Sequence, residues 1–128
     1  NIFNDLPCVF TKNIKRSKFN YSKNTNWHEN LEIEFCNDGQ GYVLLDGKNF
    51  NFSKGNIAII NSNVIHYTST DTYLNYDCLI IDTKFCKRAG IDPRNLSFQT
   101  LIEDENIKRI FLKIFRLYLI FLRIFSLL

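Results

Sequence analysis

The chain has 128 residues, 45% apolar and 15% aromatic, enough for one domain with a real core and too apolar for a disordered chain. Its net charge of +3, from 16 basic and 13 acidic residues, does not by itself make a nucleic-acid-binding surface. The four cysteines, Cys8, Cys36, Cys78 and Cys86, form no Cys-x-x-Cys pair, which argues against a zinc knuckle or a thioredoxin-like redox site.

Residues 1–25 read as an N-terminal strand and a basic arm, the strand expected over Leu6–Phe10. Lys12, Lys15, Arg16, Lys18 and Lys23 fall in a stretch with no acid between Asp5 and Glu29. A solvated arm is favoured there over a phosphate-binding surface. No secretory signal is visible, so a cytoplasmic location with reduced thiols is expected. Cys36 and Cys78 lie within apolar runs, where a free thiol behaves as a small hydrophobe.

Residues 26–82 read as an antiparallel β-barrel. Leu31–Cys36 is a strand, and Asn37-Asp38-Gly39-Gln40-Gly41 a turn, because glycine takes positive φ cheaply. Tyr42–Leu45 follows, then Asp46-Gly47, the signal for a two-residue type I′ hairpin, then Lys48–Phe52. After the Ser53-Lys54-Gly55 turn, Ile57–Ile60 is a continuous apolar run that suits a strand buried on both faces. Asn61-Ser62-Asn63 breaks it, and Val64–Ser69 and Tyr73–Ile81 are two further strands. Short strands at this spacing argue for a barrel or sandwich.

Residues 83–128 read as a loop, interrupted by Pro93, and a helix over Glu103–Leu122. Acids at its start and bases beyond suit the helix dipole. Ile107, Ile110, Phe111, Ile114, Leu117, Tyr118 and Phe121 form one apolar face, and Leu112, Phe115, Leu119 and Leu122 a second. A membrane span would bury Lys113, Arg116 and Arg123, each at a cost of roughly 2.5–3.5 kcal/mol near the bilayer centre. A homodimer through this helix, with no membrane, is expected instead.

The candidate chemistry lies in His28, Glu32 and His66, with Asn26 and Glu34 nearby in sequence. Two imidazoles and a carboxylate are the ligand set of a facial metal triad. They equally suit hydrogen bonding to a polar ligand in a barrel mouth. A barrel filled by its own side chains is a third reading.

The run Asn26-Trp27-His28-Glu29-Asn30-Leu31-Glu32, followed by Gly39, resembles the first cupin motif, with Asn26 in place of its first His. Gly55 and His66 match the second motif, where Asn61 and Asn63 replace Pro and Gly. This degenerate pair is similar to the N-terminal effector-binding domain of the AraC family of bacterial transcription regulators. Trp27-His28, Glu32-Ile33, Gly39-x-Gly41, Asp46-Gly47 and Gly55-Asn56 carry the likeness. A composition rich in Asn, Ile, Lys and Phe, residues with AT-rich codons, fits a bacterial source.

The resemblance implies a mainly β fold: a cupin-like antiparallel β-barrel (double-stranded β-helix) followed by one or two C-terminal α-helices. It implies small-molecule sensing and dimerisation, with DNA bound only through a C-terminal helix-turn-helix part that these residues do not contain. The expected ligand is a small polar molecule such as a sugar. Its expected contacts are His28, Glu32, Tyr42, Asn61 and His66, with Trp27 as a stacking face. With Asn26 replacing a usual ligand, no metal or other cofactor and no catalytic residue is expected. The alternative is a metal-dependent cupin enzyme, an isomerase or dioxygenase, with His28, Glu32 and His66 on one ion.

Overall fold

The computed structural model describes residues 8–18, 28–88 and 90–126. Five strands come first: β1 (Cys8–Ser17), β2 (Leu31–Leu45), β3 (Lys48–Ser53), β4 (Ile57–Ile60) and β5 (His66–Ile81). A short helix α1 (Thr83–Arg88), a 3-10 turn at Pro93–Asn95 and a long helix α2 (Glu105–Ser126) follow.

All strand pairs are antiparallel and belong to one sheet. β5 lies between β1 and β2. The far side of β2 carries β4 along Glu32–Phe35 and β3 along Gln40–Leu45. Among the described residues, β1 does not pair with β3 or β4, so the barrel is not closed.

Two expected breaks are bends within continuous strands. β2 runs straight through Asn37–Gly41, with pairing slips against β5 between Cys36 and Asp38 and between Gln40 and Tyr42. Gly39 has φ 81°, and a Cβ there would run into the Tyr73 carbonyl oxygen. A Cβ on Gly41 would run into the Ser69 carbonyl oxygen. The glycines therefore admit the neighbouring backbone at a bulge; they do not end the strand. β5 likewise continues through Thr70–Thr72, where Val64–Ser69 and Tyr73–Ile81 were expected as separate strands. The Thr70 hydroxyl donates to the Gln40 carbonyl and accepts from the Thr72 N–H, which satisfies the bend.

The Asp46-Gly47 hairpin forms as its sequence predicts, with φ 45° and 79° and Leu45 paired to Lys48. β1 extends to Ser17, beyond the expected Leu6–Phe10, so Lys12, Lys15 and Arg16 belong to a strand. Lys23, in the expected basic arm, lies outside the described residues. A slip in β1 between Thr11 and Ile14 is held by Asn13, at φ 54°, whose N–H donates to Asp77 Oδ1 at 2.9 Å.

The sheet has an apolar layer on each face. Cys36, Val43, Leu45, Phe52, Ile60 and Leu74 pack on the inner, concave side. Ile33, Ile57, Ile59 and Leu79 pack on the outer side with Ile102 and Phe111. Side chains alternate along a strand, so the run Ile57–Ile60 feeds both layers and all four residues are buried. The segment before α2 runs along the free edge of β4. There the Ile59 N–H donates to the Thr100 carbonyl at 2.7 Å, and the Ile102 N–H to the Ile57 carbonyl at 3.1 Å.

α2 begins at Glu105 because Asp104 caps it: Oδ1 accepts from the N–H groups of Asn106 (2.8 Å) and Ile107 (3.1 Å). Ile107, Ile110 and Leu117 are exposed on it. No helix among the described residues is long and apolar enough to cross a membrane.

Candidate functional site

Glu32 is the second residue of β2 and His66 the first of β5. In the ladder these positions are far apart, since His66 pairs with Leu45 and Glu32 with Ile80. The bends at Gly39, Gly41 and Thr70 fold the strand pair over, so the His66 end of β5 faces the Glu32 end of β2 across the concave side. The Asn63 N–H donates to the His28 carbonyl at 3.0 Å and ties the loop before β5 to the chain entering β2.

Glu32 Oε2 lies 2.9 Å from His28 Nε2 and 2.9 Å from His66 Nε2. The two rings meet edge to face, with centroids 4.9 Å apart. Each ring is held from behind by a backbone carbonyl: His28 Nδ1 lies 2.9 Å from Asn30 O, and His66 Nδ1 2.9 Å from Val64 O. A carbonyl oxygen only accepts, so each Nδ1 carries the hydrogen and each Nε2 faces the carboxylate. The second oxygen of Glu32, Oε1, accepts from the Cys78 thiol at 3.0 Å.

One layer deeper, the Thr68 hydroxyl donates to Glu34, 2.7 Å from Oε2 and 2.9 Å from Oε1. Glu32, Glu34 and His66 are buried, whereas 23% of the His28 side chain is exposed. The group therefore opens to solvent at the His28 edge.

Burial by itself raises the Glu32 carboxyl, but hydrogen bonds from His28 and His66 outweigh it and hold the group well below the usual carboxylate range. The hydrogen bond to Glu32 raises His28 against the opposing effect of burial. Burial drives Glu34 well above the usual range, and the Glu32 charge adds to that. Burial likewise drives the Cys78 thiol up, with the Glu32 charge in support. Two carboxyls shifted in opposite directions thus lie two residues apart on one face of β2.

The other expected contacts are not gathered here. Tyr42 alternates with buried Val43 and meets Tyr67 edge-on, with centroids 6.2 Å apart. It lines a separate, polar cavity of about 410 Å³ with Gln40, Asn51 and Asp71. The Asn61 amide is engaged by Phe98: Nδ2 donates to its carbonyl at 3.1 Å and Oδ1 accepts from its N–H at 2.9 Å. Trp27 lies outside the described residues, as does Asn26. Cys78 and Thr68 are members that the sequence reading did not name. Thr68 was detectable as the next inward position after His66; Cys78 depends on packing across the sheet.

His28, Glu32 and His66 each offer a ligand atom within 4.8 Å of the others, as do Glu32, Glu34 and Cys78. Two imidazoles and a carboxylate fit a divalent transition metal; they also fit a hydroxyl-rich organic ligand.

Comparison with curated protein sequences gives no match. Among solved structures, a cupin protein from Bacteroides fragilis is similar at TM-score 0.54 and 13% identity, over 74% of this chain and 74% of that one. A protein from Neisseria meningitidis is similar at TM-score 0.51 and 16% identity, over 59% of this chain and 75% of that one. The ToxT protein of Vibrio cholerae, solved with an unsaturated fatty acid, is similar at TM-score 0.48 and 15% identity. That likeness covers 72% of this chain and 34% of ToxT. At such identity the Bacteroides fragilis structure speaks for the cupin fold alone. Membership rests on a family model, the AraC-like ligand binding domain, which matches residues 16–122. Its match runs from the end of β1 through the bent sheet and into α2, and the chain belongs to that family.

Proposed function

We propose that the domain holds a small polar effector at His28, Glu32 and His66, and is the sensing and dimerisation part of an AraC-type transcription regulator. One observation carries this reading: in a family of ligand-binding domains, three polar side chains converge on the concave face and open at His28. Glu32 accepts from hydroxyls, and each imidazole donates or accepts according to its protonation. That chemistry suits a sugar or another polyol. Trp27, next to His28 in sequence, is the stacking face of this proposal. Tyr42 and Asn61 drop out of the contact set, because their side chains are engaged elsewhere.

Dimerisation falls to α2, whose exposed Ile110 and Leu117 leave apolar surface away from the sheet. DNA binding falls to a helix-turn-helix part outside these residues, and the setting is the bacterial cytoplasm. No catalytic role is assigned to the chain. The competing reading, a metal-dependent cupin enzyme, draws support from the same three side chains and requires turnover as well as an ion.

The test is a thermal-shift screen of this chain with aldoses, their alcohols and their acids. An effector that binds only the folded state raises Tm with its concentration. The reading expects one chemical class to do so, and Glu32→Gln to remove the shift. A compound that stabilises Glu32→Gln and His66→Gln as much as the wild type would place the effector elsewhere.

A further inference from the structure

A further cavity, of about 310 Å³, lies on the outer side of the sheet, opposite the face that carries His28, Glu32 and His66. Ile59 and Ile102 form its buried floor, and Phe98, Ile107 and Phe111 line the rest. Its walls come from β4, the segment before α2 and the first two turns of α2. The first two walls are pinned together: the Ile59 N–H donates to the Thr100 carbonyl, and the Asn61 amide holds Phe98 at both its N–H and its carbonyl. Phe98 and Ile107 are nonetheless 36% and 44% exposed, so the apolar lining is open to solvent. Small-molecule clefts are of this kind, mostly apolar with a few placed polar groups, and roughly 300–1,000 Å³ in volume.

The volume decides between a small molecule and a partner helix. One turn of an α-helix, about 10 Å across and about 5.4 Å high, fills ~400 Å³ and does not fit. The charge decides which small molecule. Glu103 and Asp104 belong to the lining, and no basic residue does. Among the described residues Glu103 pairs with no cation, whereas Glu105 is taken by Lys108 at 3.3 Å. An anionic ligand would meet these carboxylates. It would also find the start of α2 already served, because Asp104 Oδ1 accepts from the N–H groups of Asn106 and Ile107. A cation gains from the carboxylates and from the rings of Phe98 and Phe111.

We propose that this cavity binds a small organic cation, a primary amine whose aromatic or branched aliphatic body fills the apolar lining and whose ammonium group faces Glu103 and Asp104. At ~30 Å³ each, the share of one molecule in liquid water, the space holds about ten non-hydrogen atoms. Such a ligand touches β4 and α2 at once, so its binding holds the helix against the sheet. The inference does not rest on the effector reading, since the two sites share no residue.

Three compounds of matched size separate the head group from the body: phenethylamine, phenethyl alcohol and hydrocinnamate, which at neutral pH are a cation, a neutral molecule and an anion. Each is titrated into the isotopically labelled chain and followed by amide and isoleucine-methyl chemical shifts. The expected result is saturable shifts at Ile59, Ile102 and Ile107 with the amine, affinity at least ~3-fold weaker with the alcohol, and no binding of the acid. Added salt weakens the amine. Glu103→Gln, a substitution at an exposed position, weakens the amine about threefold and leaves the alcohol unchanged. Ile107→Trp fills the cavity and removes the binding of both. The proposal is overturned if the amine gives no saturable shift, if the three compounds bind alike, or if Glu103→Gln leaves the amine unaffected. Amine binding that appears only after Ile110→Lys and Leu117→Lys would assign the cavity to a second copy of the chain and overturn it as well.

Discussion

Glu32 has three polar neighbours on its two oxygens: the Nε2 atoms of His28 and His66 at Oε2 and the Cys78 thiol at Oε1. Replacing one partner of such a buried group leaves the others unpaired. Glu32→Gln is therefore expected to lower stability by roughly 3 kcal/mol, as read from urea unfolding. Its neighbour Glu34 acts in the opposite sense with pH. A carboxyl depressed in the fold, such as Glu32, contributes stability above its unfolded value near 4.5 and loses it as pH falls. A carboxyl raised in the fold, such as Glu34, takes up a proton on folding. Its cost grows as pH rises above 4.5, until the folded group ionises. Glu34→Gln keeps an acceptor for Thr68 and carries no charge. We expect the variant to match the wild type near pH 4.5 and to gain on it by up to ~1.4 kcal/mol per pH unit above that. Equal pH profiles for the two proteins would contradict a neutral Glu34. The raised His28 adds stability that is present below pH 6.5 and lost as pH climbs above it.

At the scale of the elements, the bent strands β2 and β5 bring the site together. The Asp46-Gly47 hairpin was legible in sequence because its conformation is a local property of two residues. The Gly39–Gly41 stretch has the sequence of a turn but forms a bulged strand, because its outcome is set by distant residues, the Tyr73 and Ser69 carbonyls of β5. The same limit applies within the site. His28, Glu32 and His66 were recognised from motif spacing, whereas the Cys78 contact to Glu32 spans 46 positions and arises only from the fold. Asn61 and Tyr42 were polar or aromatic at plausible spacing, yet one secures a loop and the other lies beside Tyr67. Gly41→Ala has no room for its methyl group, and the account expects loss of the bend, with a fall in Tm larger than that of an exposed Gly47→Ala control. Asn61→Ala removes two hydrogen bonds to Phe98 and is expected to cost about 1–2 kcal/mol while leaving effector affinity unchanged. An affinity that fell with Asn61→Ala would return that residue to the binding set.

For the whole molecule, α2 packs on the outer apolar layer through Phe111, next to Ile102. Ile110 and Leu117 point away from that contact. If this remaining surface is the dimer contact, Ile110→Lys combined with Leu117→Lys shifts a dimer to a monomer in light scattering and leaves the far-ultraviolet spectrum of the sheet unchanged. A wild-type chain that is monomeric at high micromolar concentration would remove the helix from that role. The central claim concerns the two imidazoles, and the chain contains only two histidines, so their ring nitrogens give an unambiguous spectrum. Long-range proton–nitrogen correlation of both rings, recorded above neutral pH before and after addition of the compound class that raises Tm, tests it directly. The account predicts a hydrogen on Nδ1 of both His28 and His66, and a displacement of both Nε2 signals by the effector with Nδ1 little changed. A ring with its lone pair on Nδ1, or Nε2 signals unmoved by every compound in the screen, would contradict it.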